Sequence, residues 1–206
     1  IESGSGDVSC LHCTSTNDAR GVVLIDSVDI YLRNLQVNDP VTGPAISIDN
    51  SGLNVGVQGG LFHLHNVKTS VNTTGPAISA TGAEGVINGL DMYGTHSGLT
   101  WDADHNVERQ SILSNANLTG SGCLNLTNHD QLSGENNIIK LGCTGELYFE
   151  NVELNWSTFS DDGNHIMNVD SDSHLHFNQP ANLNYTIANI GAVSYTHLRA
   201  HETVVH

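Results

Sequence analysis

The hexapeptide Thr-Gly-Pro-Ala-Ile-Ser occurs twice in this chain, at Thr42–Ser47 and at Thr74–Ser79, an offset of 32 positions. At the same offset, "IYLRNLQV" (Ile30–Val37) aligns with "FHLHNVKT" (Phe62–Thr69). Repetition at a fixed offset is typical of solenoids, in which each repeat forms one coil and equivalent residues stack on one another. The repeat therefore predicts stacked coils.

A short template underlies the repeat. Apolar residues stand two positions before and one position after a central Asn or Gly, and they alternate with polar residues on both sides. Alternation predicts a strand with one buried face. At the central residue the alternation shifts by one position, which predicts a bend there in the left-handed backbone conformation that Asn and Gly tolerate. We expect the central residues to stack as a structural ladder of hydrogen-bonded side chains. They are Asn34, Asn66, Gly89, Asn115, Asn151 and Asn189.

A second short apolar strand follows each template, as in "AISI", "AISA", "GLTW" and "CLNL". Strand, bend, strand, turn and strand, repeated every 23 to 38 residues, predict an all-β parallel β-helix. The alternative is a β-sandwich of short strands, which gives no reason for a phrase to recur in register. Charged residues make up only 14% of the chain, and no apolar stripe of period 3.6 predicts a helix.

From Gly21 to Gly191 the pattern resembles the right-handed parallel β-helix superfamily, the pectate-lyase-like solenoids. The resemblance implies a single-stranded, right-handed coil. The chain lacks the Asn-Thr-Asp, Asp-Asp, Gly-His-Gly and Arg-Ile-Lys set of polygalacturonase-like hydrolases. We expect an irregular lead-in or incomplete coil over residues 1–20, coils over 21–191, and a longer parent chain of which this is a fragment.

The last residues, "AVSYTHLRAHETVVH" (Ala192–His206), differ in composition from the rest of the chain. Ser194–Thr203 resembles the translation of a sequencing adapter. We interpret residues 192–206 as a non-native tail and assign its histidines no role.

Twenty-two acidic residues against six basic ones give a formal charge of −16, which excludes a nucleic-acid partner because phosphate binding requires clustered cations. We expect an extracellular or cell-surface protein without a membrane span in this fragment. Five Asn-x-Ser/Thr sequons fit an exported chain. The cysteines are Cys10, Cys13, Cys123 and Cys143; disulfides, including a Cys123–Cys143 bridge between coils, and free buried thiols are both compatible with their spacing.

The clearest candidate ligand-binding residues lie at outward positions of two neighbouring coils. They are Tyr31 and Arg33 on one coil and His63 and His65 on the next. An aromatic ring, a guanidinium and two imidazoles suit a sugar or uronate ligand, although an ordinary polar outer face has the same composition.

Two further clusters offer acidic groups. In "WDADHNVER", Asp102 and Asp104 could form the acid–base pair of a glycosidase, with Arg109 nearby and Trp101 stacking on a sugar ring. The alternative is a segment between coils whose Asp side chains cap turns.

The second cluster is "VDSDSHLHF", where strict alternation predicts that two carboxylates and two imidazoles share one strand face. These are weak candidate metal ligands, with Ca²⁺ as the candidate ion and a transition metal favoured by the histidines. Residues two apart on a strand are ~6.6–6.8 Å apart, so only neighbouring pairs could share an ion, and a solvated strand face is the alternative. The residues are Asp170, Asp172, His174 and His176.

Together these features predict a structural or adhesive segment of an exported protein that binds a polysaccharide or cell-surface glycan. A polysaccharide lyase or glycoside hydrolase is the alternative, and its catalytic residues are not identifiable from the sequence. The bases that lyases of this superfamily use are few and scattered over different coils. Outside the tail they are Arg20, Arg33, Lys68, Arg109 and Lys140.

Overall fold

The computed structural model describes the backbone over much of the chain and side chains over a smaller part. The described residues are 2–3, 8–11, 14–16, 22–25, 30–38, 43–50, 61–103, 111–161, 165–169, 172–177 and 185–190, and their side chains are described at 22, 30–38, 43–50, 61–103, 111–129, 132, 139–155, 168–169 and 172–175.

All elements in the described residues are β-strands, and every pairing between them is parallel. The strands are β1 (Glu2–Ser3), β2 (Val8–Leu11), β3 (Thr14–Thr16), β4 (Val22–Ile25), β5 (Ile30–Arg33), β6 (Gln36–Asn38), β7 (Ile46–Asp49), β8 (Phe62–Asn72), β9 (Ile78–Thr81), β10 (Gly85–Thr95), β11 (Gly98–Asp102), β12 (Ser111–Gly120), β13 (Cys123–Cys143), β14 (Leu147–Asp161), β15 (His165–Val169), β16 (His174–Phe177) and β17 (Tyr185–Ile190).

The strands form three faces of a β-solenoid. The first face stacks β5 on the opening residues of β8, β10 and β12, and the second face stacks β6 on the later residues of the same three strands. The third face stacks β4, β7, β9 and β11 on the opening residues of β13 and β14. The predicted parallel solenoid is confirmed. Its right-handed coiling stays a prediction.

The repeated hexapeptide has the predicted structural cause. Ile46 pairs with Ile78 and Ser47 with Ser79 on neighbouring coils of the third face. This coil is longer than the next one because twelve residues (50–61) separate β7 from β8, whereas three (82–84) separate β9 from β10. The extra residues leave the register of the paired strands unchanged.

For residues 1–20 we expected an irregular lead-in or an incomplete coil. The described part of this segment contains β1, β2 and β3, which pair in parallel with β4, β5 and β6. Stacked strands are therefore present before Gly21, as in an incomplete coil, and the domain boundary itself stays a prediction.

The interior is filled by inward-facing apolar side chains from all three faces. Among the described side chains the largest in the core is Trp101 on the third face, whose ring centroid lies 5.0 Å from that of Phe62 on the first face. Gly85 makes room for Phe62, because a Cβ at Gly85 would lie 2.3 Å from the Phe62 carbonyl oxygen and 2.7 Å from its ring. Phe62 can therefore keep this position only with a glycine at residue 85.

In the part of the chain that the structure describes, no helix is long and apolar enough to cross a membrane.

Candidate functional site

The four residues predicted to form a surface patch are brought together on the first face. Tyr31 pairs with His63 and Arg33 with His65 across β5 and β8. The Tyr31 and His63 rings are stacked, with centroids 4.5 Å apart and planes 4° from parallel. Arg33 and His65 are exposed, whereas Tyr31 and His63 are half-buried. We refer to Tyr31, Arg33, His63 and His65 as the first-face patch.

A shallow groove runs along one side of this patch. It has a volume of about 180 Å³ and is lined by Arg33, His63, Leu64, His65, Val86 and Asn88. This volume lies below the ~300–1,000 Å³ typical of small-molecule pockets. The groove therefore has room for one small chemical group and is too small for a complete drug-sized molecule.

Asn88 gives the groove a hydrogen-bond donor. It lies beside His65 on the next coil, and its Oδ1 accepts a 2.9 Å hydrogen bond from Nδ2 of Asn115. Because the amide oxygen is already engaged, the NH₂ group is the part of Asn88 that remains to serve a ligand. Sequence reasoning missed Asn88, although its position, one before the central Gly89, is the position of Arg33 and His65 in their coils.

Left-handed bends lie beside the patch, where the chain turns from the first face to the second. Asn34, Asn66, Gly89 and Asn115 have φ values of 53°, 55°, 81° and 50°. Nδ2 of Asn66 donates to Oδ1 of Asn34 at 2.7 Å. Gly89 interrupts the side-chain ladder, and Asn115 therefore reaches Asn88 instead.

The assignment of Asn151 to this ladder is wrong. Its φ of 55° is left-handed as expected, but β14 begins on the third face, where Leu147–Glu150 pairs with Leu124–Thr127 of β13. Asn151 consequently stacks on Asn128, whose φ is 59°, and donates to its Oδ1 at 3.2 Å.

Asn128 and Asn151 belong to a second ladder, at the corner between the third face and the first. Asn128 in turn donates to Oδ1 of Asp102 at 2.8 Å. The template missed Asn128 because the residue after it is a histidine, His129, where the template expects an apolar side chain. Asn189 lies in β17, and its side chain is outside the described residues.

Trp101 cannot serve as a sugar-stacking residue. It is 0% exposed, and its indole N–H donates to the Ala83 carbonyl oxygen at 2.8 Å. Trp101 points inward because it lies two residues after Leu99, which also faces the core. The Asp102 carboxylate bonds to Asn128 at the corner, whereas Asp104 and Arg109 lie outside the described residues.

The acidic and imidazole cluster at residues 170–176 does not lie on one straight strand. β15 ends at Val169, a turn includes Asp172, and β16 begins at His174. His174 pairs with Glu153 and His176 with Asn155 of β14. Asp170 and the His176 side chain lie outside the described residues, so the metal site stays a prediction. Among the residues that the structure does describe, no group of three or more His, Cys, Asp or Glu side chains could hold a metal ion.

The turn between the second and third faces contains a buried histidine. His96 is 4% exposed, and its Nδ1 accepts a 3.0 Å hydrogen bond from the Gly98 N–H, which fixes the neutral ring with its proton on Nε2. Burial lowers the pKa of His96, and a backbone contact with Thr119 opposes this shift. The buried turn therefore favours the neutral form of the His96 ring.

Cys123 and Cys143, which are 20 positions apart in sequence, form a disulfide with 5.3 Å between their Cα atoms. Cys123 opens β13 on the third face and Cys143 closes it on the second face, so the bond closes nearly one complete coil. Both cysteines are buried. Cys13 and the Cys10 side chain lie outside the described residues.

Two further sets of polar side chains lie on the outer surface. On the second face, Lys68 lies beside Asp91, and its Nζ is 5.2 Å from the centroid of the Tyr93 ring. On the third face, the Tyr148 hydroxyl donates to Glu150 at 2.8 Å. Tyr148 and Glu150 point outward because they alternate with Phe149, which faces the core. Apart from the register, the sequence contains no signal that groups Lys68 with Tyr93.

Fold and surface together define this chain as a parallel β-solenoid with a polar exterior. Comparison with known proteins adds no relative: no protein family, no curated protein and no solved structure matches the chain.

Proposed function

We propose that this solenoid is a structural or adhesive segment of an extracellular or cell-surface protein and that its first-face patch binds carbohydrate. The observation that carries the proposal is the register of the patch. Tyr31 and Arg33 lie directly beside His63 and His65 on the neighbouring coil, so a pair of stacked rings shares one surface with a guanidinium and an imidazole.

The shape of the surface suits a chain-like ligand. Neighbouring parallel strands are ~4.8 Å apart, so each coil presents a similar row of side chains one step along the stack. A shallow groove of about 180 Å³ can hold one substituent of a polysaccharide while neighbouring sugar units contact the next coils. Half-buried aromatic rings give such a ligand an apolar contact at low entropic cost.

Binding of a polysaccharide or cell-surface glycan is tested with a glycan array, followed by titration calorimetry on the glycans that are retained. We expect retention by the wild-type protein and loss of most affinity in Arg33→Ala and Tyr31→Ala. Lys68→Ala removes an exposed cation from the second face and is the matched control, so it should retain binding. Unchanged retention by the patch variants would remove the first face as the binding site.

The enzymatic alternative is a polysaccharide lyase or glycoside hydrolase of the β-helix class. Incubation with pectin and alginate distinguishes it from adhesion, since a lyase produces unsaturated uronates that absorb in the ultraviolet and a hydrolase produces new reducing ends. Binding without turnover supports the adhesive role. Turnover would replace it with the enzymatic one.

A further inference from the structure

We propose that Asn72 carries an N-linked glycan, which makes the corner between the second and third faces the glycosylated side of the solenoid. The inference adds a modification site and rests on the extracellular or cell-surface location proposed above. A sequon becomes an acceptor where it lies in a surface segment of an exported chain. Of the five sequons in the sequence, three have both the Asn and the hydroxyl residue described, at 72–74, 117–119 and 125–127.

The sequon at Asn72 differs from the other two in its place in the coil. Asn72 is the last residue of β8, and Thr73 and Thr74 follow it outside any strand, in the turn that leads to the third face. Asn72 and Thr74 are both exposed. Since the acceptor amide and the hydroxyl two residues later are both parts of the sequon, an exposed pair in a surface turn fits an occupied site.

The hydrogen bond that Asn72 makes is compatible with an attached sugar. Its Oδ1 accepts from the Thr95 N–H at 3.2 Å. In the transfer, Nδ2 of Asn72 forms a bond to C1 of an oligosaccharide carried on a lipid diphosphate. The bond from C1 to the diphosphate oxygen breaks, the lipid diphosphate leaves, and Nδ2 gives up one proton. The product is still an amide whose oxygen accepts a hydrogen bond, so the bond from Thr95 is kept.

The backbone of this turn is held by the next coil. The Thr73 N–H donates to the Thr95 carbonyl oxygen at 2.8 Å, and the Ser97 N–H donates to the Gly75 carbonyl oxygen at 2.8 Å. Thr95 and Ser97 are themselves exposed. None of these backbone bonds uses Nδ2 of Asn72, so the folded turn can keep all of them with a glycan attached.

The other two sequons lie within strands and leave less room. Asn117 is half-buried between Asp91 and Lys140 in register, and its Nδ2 donates to Oδ1 of Asp91 at 3.4 Å. Asn125 is also half-buried, and its Oδ1 is buried. Neighbouring strands are ~4.8 Å apart, so a sugar on either residue would press on side chains of the coils on both sides. A glycan at these positions therefore disfavours the stacked coil.

The position of Asn72 keeps the glycan away from the first-face patch. His63 and His65 lie at the opening of β8, on the first face, and the left-handed bend at Asn66 turns the strand onto the second face, which Asn72 ends. The acceptor and the ligand-binding residues are thus at opposite ends of one strand, on either side of a bend. The glycan covers one corner and leaves the first face free to bind.

The experiment secretes the full chain from a eukaryotic host and maps the three sequons. Digestion with peptide:N-glycosidase in heavy-oxygen water converts each glycosylated Asn into a labelled Asp, which mass spectrometry locates. We expect the label at Asn72 in most secreted molecules and little or none at Asn117 and Asn125. Protein that the cells retain is mapped in the same way. An unlabelled Asn72 in both fractions, or equal labelling of the three sites in the secreted protein, would overturn the inference.

Two substitutions at one exposed position form the matched pair. Thr74→Val removes the hydroxyl of the sequon and should abolish the label at Asn72, as Asn72→Gln does, whereas Thr74→Ser keeps the hydroxyl and should keep the label. Melting curves verify that each variant is folded. A label at Asn72 that persists in Thr74→Val would show that glycosylation of the sequon is not its source.

A glycan array separates this inference from the proposed function. Asn72→Gln should be retained on the same glycans as the wild type, because Asn72 lies away from the patch, and loss of retention would contradict that separation. Retention of a wild-type protein that carries no glycan at Asn72 would overturn the inference and leave carbohydrate binding standing. A glycan at Asn72 without retention on the array would do the reverse.

Discussion

The disulfide between Cys123 and Cys143 offers a prediction whose size follows from the structure. The bond spans 20 positions, and constraining a chain of about that length lowers the entropy of the unfolded state by about 11 cal/mol/K. At room temperature this corresponds to about 3 kcal/mol of stability. Replacing both cysteines with alanine should therefore lower the free energy of unfolding by about 3 kcal/mol. Because the sulfurs are buried, a small packing loss adds to this value.

The measurement is urea unfolding followed by circular dichroism and by tryptophan fluorescence, with Cys123→Ala/Cys143→Ala compared with the oxidised wild type. Reductant should shift the wild-type midpoint toward that of the double variant. Reductant added to the double variant itself reports on Cys10 and Cys13, which are unchanged there. Peptide mapping without reductant verifies the bond. A loss below about 1 kcal/mol in a protein shown to carry the bond would refute the entropic reasoning.

Three further predictions concern stability and are tested by thermal melting. Asn66→Ala should lower the free energy of unfolding by about 1–2 kcal/mol, because Ala is strained at a φ of 55° and loses the hydrogen bond to Asn34 in the ladder. Asn66→Gly removes only the hydrogen bond. Equal losses of stability in the two variants would show that Asn66 does not contribute through its backbone conformation. Gly85→Ala should lower the free energy of unfolding by ~1–3 kcal/mol, because the added Cβ forces Phe62 to move. Gly75→Ala is the control and should be close to neutral, because its Cβ would meet nothing within 4 Å. Similar losses of stability in the two variants would contradict the packing argument. For His96, a folded-state pKa below the ordinary value of 6.5 means that stability is complete above about pH 6.5 and falls below it by up to about 1.4 kcal/mol per pH unit until the folded-state pKa is reached. His96→Asn keeps an acceptor for the backbone and should remove this part of the acid dependence, and an identical acid profile in both proteins would contradict the assignment.

The coil and its register could be read from the sequence because stacking makes equivalent residues recur. The offset of 32 between the two hexapeptides correctly predicted that Ser47 and Ser79 would be neighbours. The same offset paired Tyr31 with His63 and Arg33 with His65. Alternation within a strand and identity between coils can both be read directly from the sequence. The contacts between coils therefore did not have to be known in advance.

The errors arose where one local pattern serves two places in the coil. Asn128 and Asn151 bend the chain between the third and first faces with the same left-handed backbone as Asn66, so the template could not tell the two corners apart. Trp101 was placed on the surface because of its neighbours Asp102 and Asp104. The alternation with Leu99 already predicted that Trp101 points inward. Burial of such a large aromatic ring stabilises the core, and this decides where the ring lies.

The groove itself could not be predicted, because its lining includes Asn88, whose amide oxygen accepts a hydrogen bond from Asn115 on the next coil. Gly89, which lies level with Asn115, has no side chain that could continue the ladder. Such a consequence of a missing side chain appears when coils are stacked in space.

The unequal lengths of the coils have a mechanical consequence. Between the third and first faces the chain uses twelve residues in one coil, three in the next and eight in the one after, yet each coil adds the same ~4.8 Å step. The length of the described stack is therefore set by the number of coils and not by the number of residues in each coil. Sequence can be gained or lost at that corner without changing how many steps along the stack separate the first-face patch from any other coil, so insertions there change the surface beside the patch and leave the spacing of the coils unchanged.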